Sequence, residues 1–203
     1  MDIRLIIVGK GEWERYTLPC LKSLKETNPG IPVMVIDINS EYPDYEGVIH
    51  TDWVSYAEGI NIGIKKKKAD WYIISNNDVI YKKPLAEHIS KLDPDVFYSY
   101  VYHPVNHQLW VWDYVTGCNL FISHKLWKAV GEMDVKCWPL YFEDVDYSYR
   151  VVQAGFGLGV LDVNELGVYH LEMEREKDRS ELKQSLNKER EIIKAYVRAK
   201  HGF

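Results

Sequence analysis

The chain has no long hydrophobic run. Its longest aliphatic stretch, Leu5-Ile6-Ile7-Val8, is far short of the about 20 residues that a membrane span needs. No basic segment precedes an apolar one in the manner of a secretory leader. Basic charge is scarce as well: 25 Lys and Arg against 30 Asp and Glu leave a net charge of −5, which argues against a general nucleic-acid binder with its basic face. Only three cysteines occur, Cys20, Cys118 and Cys137. Their number is odd and their spacing fits no metal site, so they read as reduced thiols in a cytoplasmic setting. Glycine-rich phosphate loops of the Walker or dinucleotide type are absent too, because Gly9-Lys10-Gly11 is a G-x-G fragment without the third glycine. What is present is an ordinary globular balance: 203 residues, 46% hydrophobic and 27% charged, enough for one domain with an appendage. Aromatics are plentiful, with 7 Trp and 15 Tyr, side chains that fill cores and also line sites by offering a flat face and a polar edge.

Apolar runs at Ile3–Val8, Ile31–Ile36, Val48–His50 and Trp71–Ile74 predict strands, and the stretches after Tyr16 and from Ala57 to Lys68 have helical spacing. Strands alternating with helices at these intervals predict βαβ units and a mainly parallel sheet. Further on, Val96–Val101, Thr116–Ser123 and Val160–Val163 read as strands, and His124–Val130 and Tyr141–Ala154 as helices, the second closed by Gly155. From Glu172 the composition turns to alternating acids and bases. Leu182, Leu186, Ile193 and Val197 then recur at near-helical spacing, as in a charged amphipathic helix or a frayed tail. The expected division is a domain over 1–171, with halves 1–84 and 85–171, and a C-terminal segment over 172–203.

In a parallel α/β sheet the ligand crevice lies at the carboxyl ends of the strands. Gly9, Asp37 and Asn76-Asn77-Asp78 fall at such ends. Without a glycine loop, a bound nucleotide needs another way to neutralise its phosphates, and a divalent cation on a carboxylate supplies one. Taken alone, Asn76-Asn77-Asp78 also reads as a turn after a strand. Glu143, Asp144 and Asp146 open the predicted helix at 141–154, where the positive end of the helix dipole favours ionised carboxylates. Acids at a helix start are commonplace, and Asp146 is left to that ordinary role.

The stretch from Ala57 to Ile64 with WYIISNNDVIYKKP after it, then Gly117-Cys118-Asn119-Leu120-Phe121-Ile122, VGEMDVKCWPLYFEDVDYSYRVVQAGF and VYH, resembles the family 2 glycosyltransferases. The order and rough spacing agree from residue 3 to 170. The resemblance implies a GT-A fold, Rossmann-like with a mainly parallel central sheet flanked by helices. It also implies inverting transfer of a sugar from a nucleotide diphosphate, UDP before dTDP, to a hydroxyl of a glycan or related acceptor. The acidic triplet of that family is reduced here to Asn76-Asn77-Asp78, as in rhamnosyltransferase-like members. Asp78, with His170, is the implied ligand pair for Mn²⁺ or Mg²⁺. The implied donor-binding residues are Val8, Gly9, Asp37, Asn61, Asn76, Asn77 and Asp78. Asp144 is the implied base with Glu143 beside it, and Gly117, Trp138 and Tyr141 face the acceptor. Trp110 and Trp112 belong to acceptor or core. Further expectations are a location in the cytoplasm or peripherally at a membrane surface, and a place as one module of a larger transferase. The rival readings are a sugar nucleotidyltransferase and a non-catalytic glycan- or nucleotide-binding protein of the same fold.

Overall fold

A computed structural model describes residues 1–40, 42–105, 110–139, 141–171 and 180–203, the last segment with side chains from 187 onward. Strands β1 (Ile3–Gly9), β2 (Val33–Ile38), β3 (Val48–Thr51) and β4 (Trp71–Asn76) form one parallel ladder. Along β1, Leu5 and Ile7 face one buried layer while Ile6 and Val8 face the other. A strand covered on both sides is apolar throughout, which is why this one reads as an unbroken run. Helix α1 (Leu18–Thr27), entered through a π-helical turn at Trp13–Thr17, covers the first layer with Leu21 and Leu24. Helix α2 (Tyr56–Lys66) covers the second with Ile60 and Ile64. Ser55 caps α2, its hydroxyl accepting from the Glu58 amide at 3.0 Å, and so satisfies one of the donors a helix start leaves open.

The second half reverses one strand. β9 (Asn119–Ser123) runs antiparallel to β4 and to β6 (Val96–Ser99), and β10 (Gly157–Val160) extends β6 in parallel. The central sheet has the order β10-β6-β9-β4-β1-β2-β3 and is mainly parallel, as expected. Two small sheets stand off it. β5 (Val79–Tyr81) pairs with β11 (Val168–His170), and β7 (Val101–His103) with β8 (Tyr114–Thr116). Three short helices, α3 (Ala86–Ile89), α4 (His124–Val130) and α6 (Val163–Leu166), accompany α5 (Glu143–Gln153) and α7 (Ser180–Lys200).

Several expected elements change shape. The strand expected over Val96–Val101 divides between the central sheet and the β7–β8 hairpin, and the one expected over Thr116–Ser123 divides at Gly117-Cys118. The strand expected at Val160–Val163 ends at Val160. Asp162 accepts from the Asn164 amide at 2.7 Å and starts α6 instead, a side-chain cap that periodicity does not register. Trp110 and Trp112 are both buried, in a third apolar cluster with Phe142, Val145, Ile193 and Val197. Helix α7 is therefore seated on α5. Asp146, fully buried, accepts from Arg150 at 2.9 Å and Lys200 at 2.6 Å and lies 2.8 Å from the His201 ring, so it is a structural hub. Leu182, Leu186 and the segment at 172–179 lie outside the described side chains and residues.

Helix α2 lies so close to β1 that a methyl group on Gly63 would fall 2.5 Å from Ile6 Cγ2. Gly63→Ala is expected to destabilise the fold by about 1–3 kcal/mol through overpacking. Gly30→Ala, where the new methyl meets no atom within 4 Å, is expected to change stability by no more than about 0.5 kcal/mol. Urea unfolding of the two variants checks the contrast.

Candidate active site

Register alone brings the first candidate residues to one edge. Gly9 on β1 pairs with Asp37 on β2, and Val8 pairs with Asn76 on β4. The chain then turns at Asn77-Asp78 into β5, whose partner β11 sets His170 opposite Val79. Asp78 is nearly inaccessible to solvent, and its Oδ1 lies 3.1 Å from His170 Nε2. The Asp78 carbonyl accepts from the Leu171 amide at 2.9 Å, which fixes the two strands' approach. A carboxylate and an imidazole 92 positions apart are thus in direct contact. Among the described residues, no group of three or more His, Cys, Asp or Glu side chains is gathered for a metal ion.

The second constellation stands on a strained turn. Tyr141 and Phe142 have φ of 86° and 64°, a region that costs a non-glycine residue on the order of 1–2 kcal/mol. They deliver Glu143 and Asp144 into the first turn of α5. Asp144 Oδ1 accepts from the Val145 amide at 2.8 Å. Glu143 Oε2 is buried and has no hydrogen-bond partner among the described residues, a costly state for a polar atom unless a ligand supplies the missing bond. Burial, reinforced by the Asp144 charge, pushes the Glu143 carboxyl up to about 8. Burial also pushes Asp144 up, to about 6. The two carboxyls lie side by side and titrate as a pair, both raised by burial, so near neutral pH they share about one proton between them.

His170 and the Glu143–Asp144 pair open on one cleft of about 540 Å³, lined also by Asn76, Gly117 and Tyr141, with Asp78 buried behind His170. Gly117 is there because nothing larger fits: a methyl group on it would lie 2.7 Å from Ser99 Oγ. Tyr56, at the start of α2, donates to Asn76 Oδ1 at 2.8 Å. Burial holds its phenol well above the ordinary range, and the charges of Glu143, Asp78 and Asp144 push it further, so this ring stands within electrostatic reach of both acidic groups. Tyr56 was not a candidate from the sequence, and its helix-start position carries no signal that would single it out. Arg190 of α7 also lines the cleft, from a segment whose alternating charges read as a solvated face.

Other candidates go elsewhere. Asn77 turns into the protein, donating to Thr17 Oγ1 at 3.1 Å and Tyr42 Oη at 3.0 Å. A methyl group on Gly9 would strike Asn77 Cβ at 2.9 Å, so the pair sets the loop after β1. Asn61 is buried in α2 and exchanges both amide bonds with the Met133 backbone at 2.9 Å, away from the cleft lining. Asp37 is buried, with one carboxylate oxygen taken by the Ser40 hydroxyl and the other 2.8 Å from His50 Nδ1. Val8 packs in the second apolar layer. Trp138 is half-exposed beside Trp53, their centroids 6.1 Å apart, and Lys10 Nζ sits 3.2 Å from the Trp53 centroid. Trp13 packs on Tyr42 and Tyr45.

No family model matches the chain, and a search of curated proteins finds no match. Solved structures do match. The catalytic domain of Drosophila β1,4-galactosyltransferase 7, crystallised with xylobiose, superimposes at TM-score 0.54 and 15% identity over 84% of this chain and 71% of its own. S. aureus TarS gives 0.58 and 13% identity over 80% of this chain. GalNAc-T7, crystallised with UDP, GalNAc and Mn²⁺, gives 0.61 and 14% identity over 77% of this chain. The fold is GT-A. This chain spans 35% of TarS and 41% of GalNAc-T7, so it matches a part of each of those longer chains. Within the GT-A frame, Asn76 at the end of β4 and the start of α5 line one cleft with Gly117 and Cys118, the residues just before β9.

A carboxyl whose pKa is raised by folding stabilises the native state while it is protonated and loses that contribution as pH climbs through the folded value. Wild-type stability is therefore expected to fall between about pH 5 and about pH 8.5 as Glu143 is forced to ionise. Glu143→Gln, which cannot ionise, is expected to lose less over the same interval. Urea unfolding at both pH values tests this, and parallel pH dependence in the two proteins would contradict the assignment.

Proposed function

We propose that this chain is an inverting glycosyltransferase that moves a sugar from a nucleotide diphosphate, UDP before dTDP, to a hydroxyl of a glycan or related acceptor. One observation carries the reading: His170, in contact with the buried Asp78 carboxylate, and the Glu143–Asp144 carboxyl pair, both pushed up by burial, line the same cleft at the carboxyl edge of a GT-A sheet. Asp78 and His170, in contact at 3.1 Å, are the residues that would hold a divalent cation, which would draw its remaining ligands from substrate phosphates. Mn²⁺ and UDP in the GalNAc-T7 crystal support that choice. Such a cation supplies charge stabilisation to the departing diphosphate. With no third His, Cys, Asp or Glu beside them among the described residues, binding would depend on the nucleotide, in keeping with a rhamnosyltransferase-like triplet.

The Glu143–Asp144 pair carries a negative charge near neutral pH, and Asp144 takes the proton from the acceptor hydroxyl. The freed oxygen bonds to the anomeric carbon from the face opposite the diphosphate, whose bond to that carbon breaks, so configuration inverts. Glu143 hydrogen-bonds the acceptor and thereby satisfies its buried oxygen. Asn76, held by Tyr56, faces the donor. Bonds from the nucleoside to Asp37 or to the Gly9 loop require Asp37 to exchange its Ser40 or His50 contact for the ligand. Tyr141 offers a ring face to the acceptor, and Trp138, beside Trp53 outside the cleft lining, serves only an acceptor that reaches past the cleft. No helix among the described residues is long and apolar enough to cross a membrane. Burial pushes the Cys20 thiol up to about 12, which keeps it inert; the cytoplasm remains the proposed location. The partial coverage of TarS and GalNAc-T7 supports a place as one module of a larger transferase.

Release of UDP from a panel of UDP-sugars with Mn²⁺ tests the proposal. Asp144→Asn is expected to lower the turnover of the accepted donor by about 10²–10⁴-fold, with donor affinity within about twofold. Asp78→Ala is expected to abolish the Mn²⁺ dependence of UDP binding with the fold retained. Unchanged turnover in Asp144→Asn would remove the base. Failure of wild type to bind UDP or dTDP with Mn²⁺ would remove the transferase reading.

A further inference from the structure

Arg190 is the one Lys or Arg among the described residues lining the cleft. Its guanidinium lies over the Tyr141 ring at 4.9 Å and the Phe142 ring at 5.8 Å, the two residues of the strained turn that carries Glu143 and Asp144. It makes no ion pair with either carboxyl, and both of those stay above the ordinary carboxylate range, so Arg190 is not their counterion. The helix that bears it is firmly placed. Ile193 and Val197 are buried, Tyr196 donates to Asp134 at 2.7 Å, and Lys200 bridges Asp134 and Asp146.

We propose that Arg190 forms an anion subsite on the acceptor side of the cleft, so that the acceptor is a sugar bearing a carboxylate or phosphate group. This rests on the transferase reading above. In an in-line displacement the attacking hydroxyl and the leaving diphosphate occupy opposite faces of the reacting carbon, and Arg190 stands on the turn that carries the base, hence on the acceptor's side. A neutral acceptor needs no cation there. An anionic one would be repelled by the negative charge of the Glu143–Asp144 pair unless a fixed positive charge faced it. A guanidinium stacked by its face on aromatic rings keeps its N–H edge available for a planar anion, and the stacking limits the entropy lost on binding.

The test is a ligand-observed NMR titration with methyl β-glucuronide, glucose 6-phosphate and methyl β-glucoside, run with and without UDP and Mn²⁺. Wild type, Arg190→Gln and Arg190→Lys are compared, each checked for folding by thermal unfolding. At least one anionic sugar is expected to bind wild type about tenfold more tightly than the glucoside, the effect of one charge-assisted bond. Glucuronide and glucose 6-phosphate distinguish a carboxylate from a phosphate. Arg190→Gln is expected to erase the preference and Arg190→Lys to retain part of it, while UDP affinity changes by less than about twofold. Equal binding of charged and neutral sugars overturns the subsite, as does a preference that survives Arg190→Gln. A parallel fall in UDP affinity in Arg190→Gln overturns it too, by giving Arg190 to the donor diphosphate. If wild type binds no UDP, the transferase reading fails, and the titrations without nucleotide still decide the anion subsite.

Discussion

One buried amide joins the two halves of this molecule. Asn119, at the first position of β9, donates to the Ile74 carbonyl at 3.2 Å and to Tyr81 Oη at 2.6 Å, and accepts from Tyr100 Oη at 2.9 Å. Its own carbonyl accepts from Ser99 Oγ at 2.8 Å. Strands β4 and β5 belong to the first half and β6 to the second, so this residue ties them together where strand direction reverses. A fully satisfied buried amide of this kind specifies one arrangement, because any slip leaves polar groups unpaired in a low-dielectric interior. The adjoining Cys118 carbonyl accepts from the Asn76 amide at 2.9 Å, which carries the same constraint one residue further, to the rim of the cleft.

The site follows from that junction. Asp78 leaves β4 on one side of it, β11 returns His170 to Asp78, and the loop before β9 brings Gly117 opposite. The other wall is α5, whose entry through two residues of positive φ is uphill in isolation. Its compensation is packing: Phe142 and Val145 sit with Trp110, Trp112, Ile193 and Val197, and each large apolar side chain buried there contributes about 1.5–3 kcal/mol. Helix α7 supplies part of that cluster and Lys200, which with Arg150 of α5 neutralises Asp146. The strained turn, the unpaired Glu143 oxygen and the raised carboxyls are thus held up by a segment remote in sequence. A local violation of backbone and hydrogen-bonding preferences, supported elsewhere, is the usual mark of a functional site.

Much of the sheet was legible because its central strands are buried on both faces and read as apolar runs, while α1 and α2 show helical spacing. The contact of Asp78 with His170 is invisible to periodicity; the family resemblance implied it and the β5–β11 ladder explains it. The breaks at Tyr100 and Gly117 escaped, since a run of strand-forming residues does not reveal that it serves two sheets. Asn61 and Asn77 mark the limit of motif reading. Both are polar residues at motif positions, yet one clamps the Met133 backbone and the other pins the loop after β1. Which way a side chain turns depends on partners far along the chain, Met133 in one case and Thr17 and Tyr42 in the other. Arg190 escaped for the same reason, since its helix shows only alternating charge until the cluster around Trp110 and Trp112 is assembled.

The most direct test of the account is a crystal structure of the protein grown with UDP and Mn²⁺. The account predicts the cation on Asp78 and the UDP diphosphate, with His170 completing the set, uridine toward the carboxyl ends of β1 and β2, and Glu143 and Asp144 across the cleft, free to meet an acceptor. An ordered UDP elsewhere on the surface, or a cation bound to the nucleotide without touching Asp78, would contradict it.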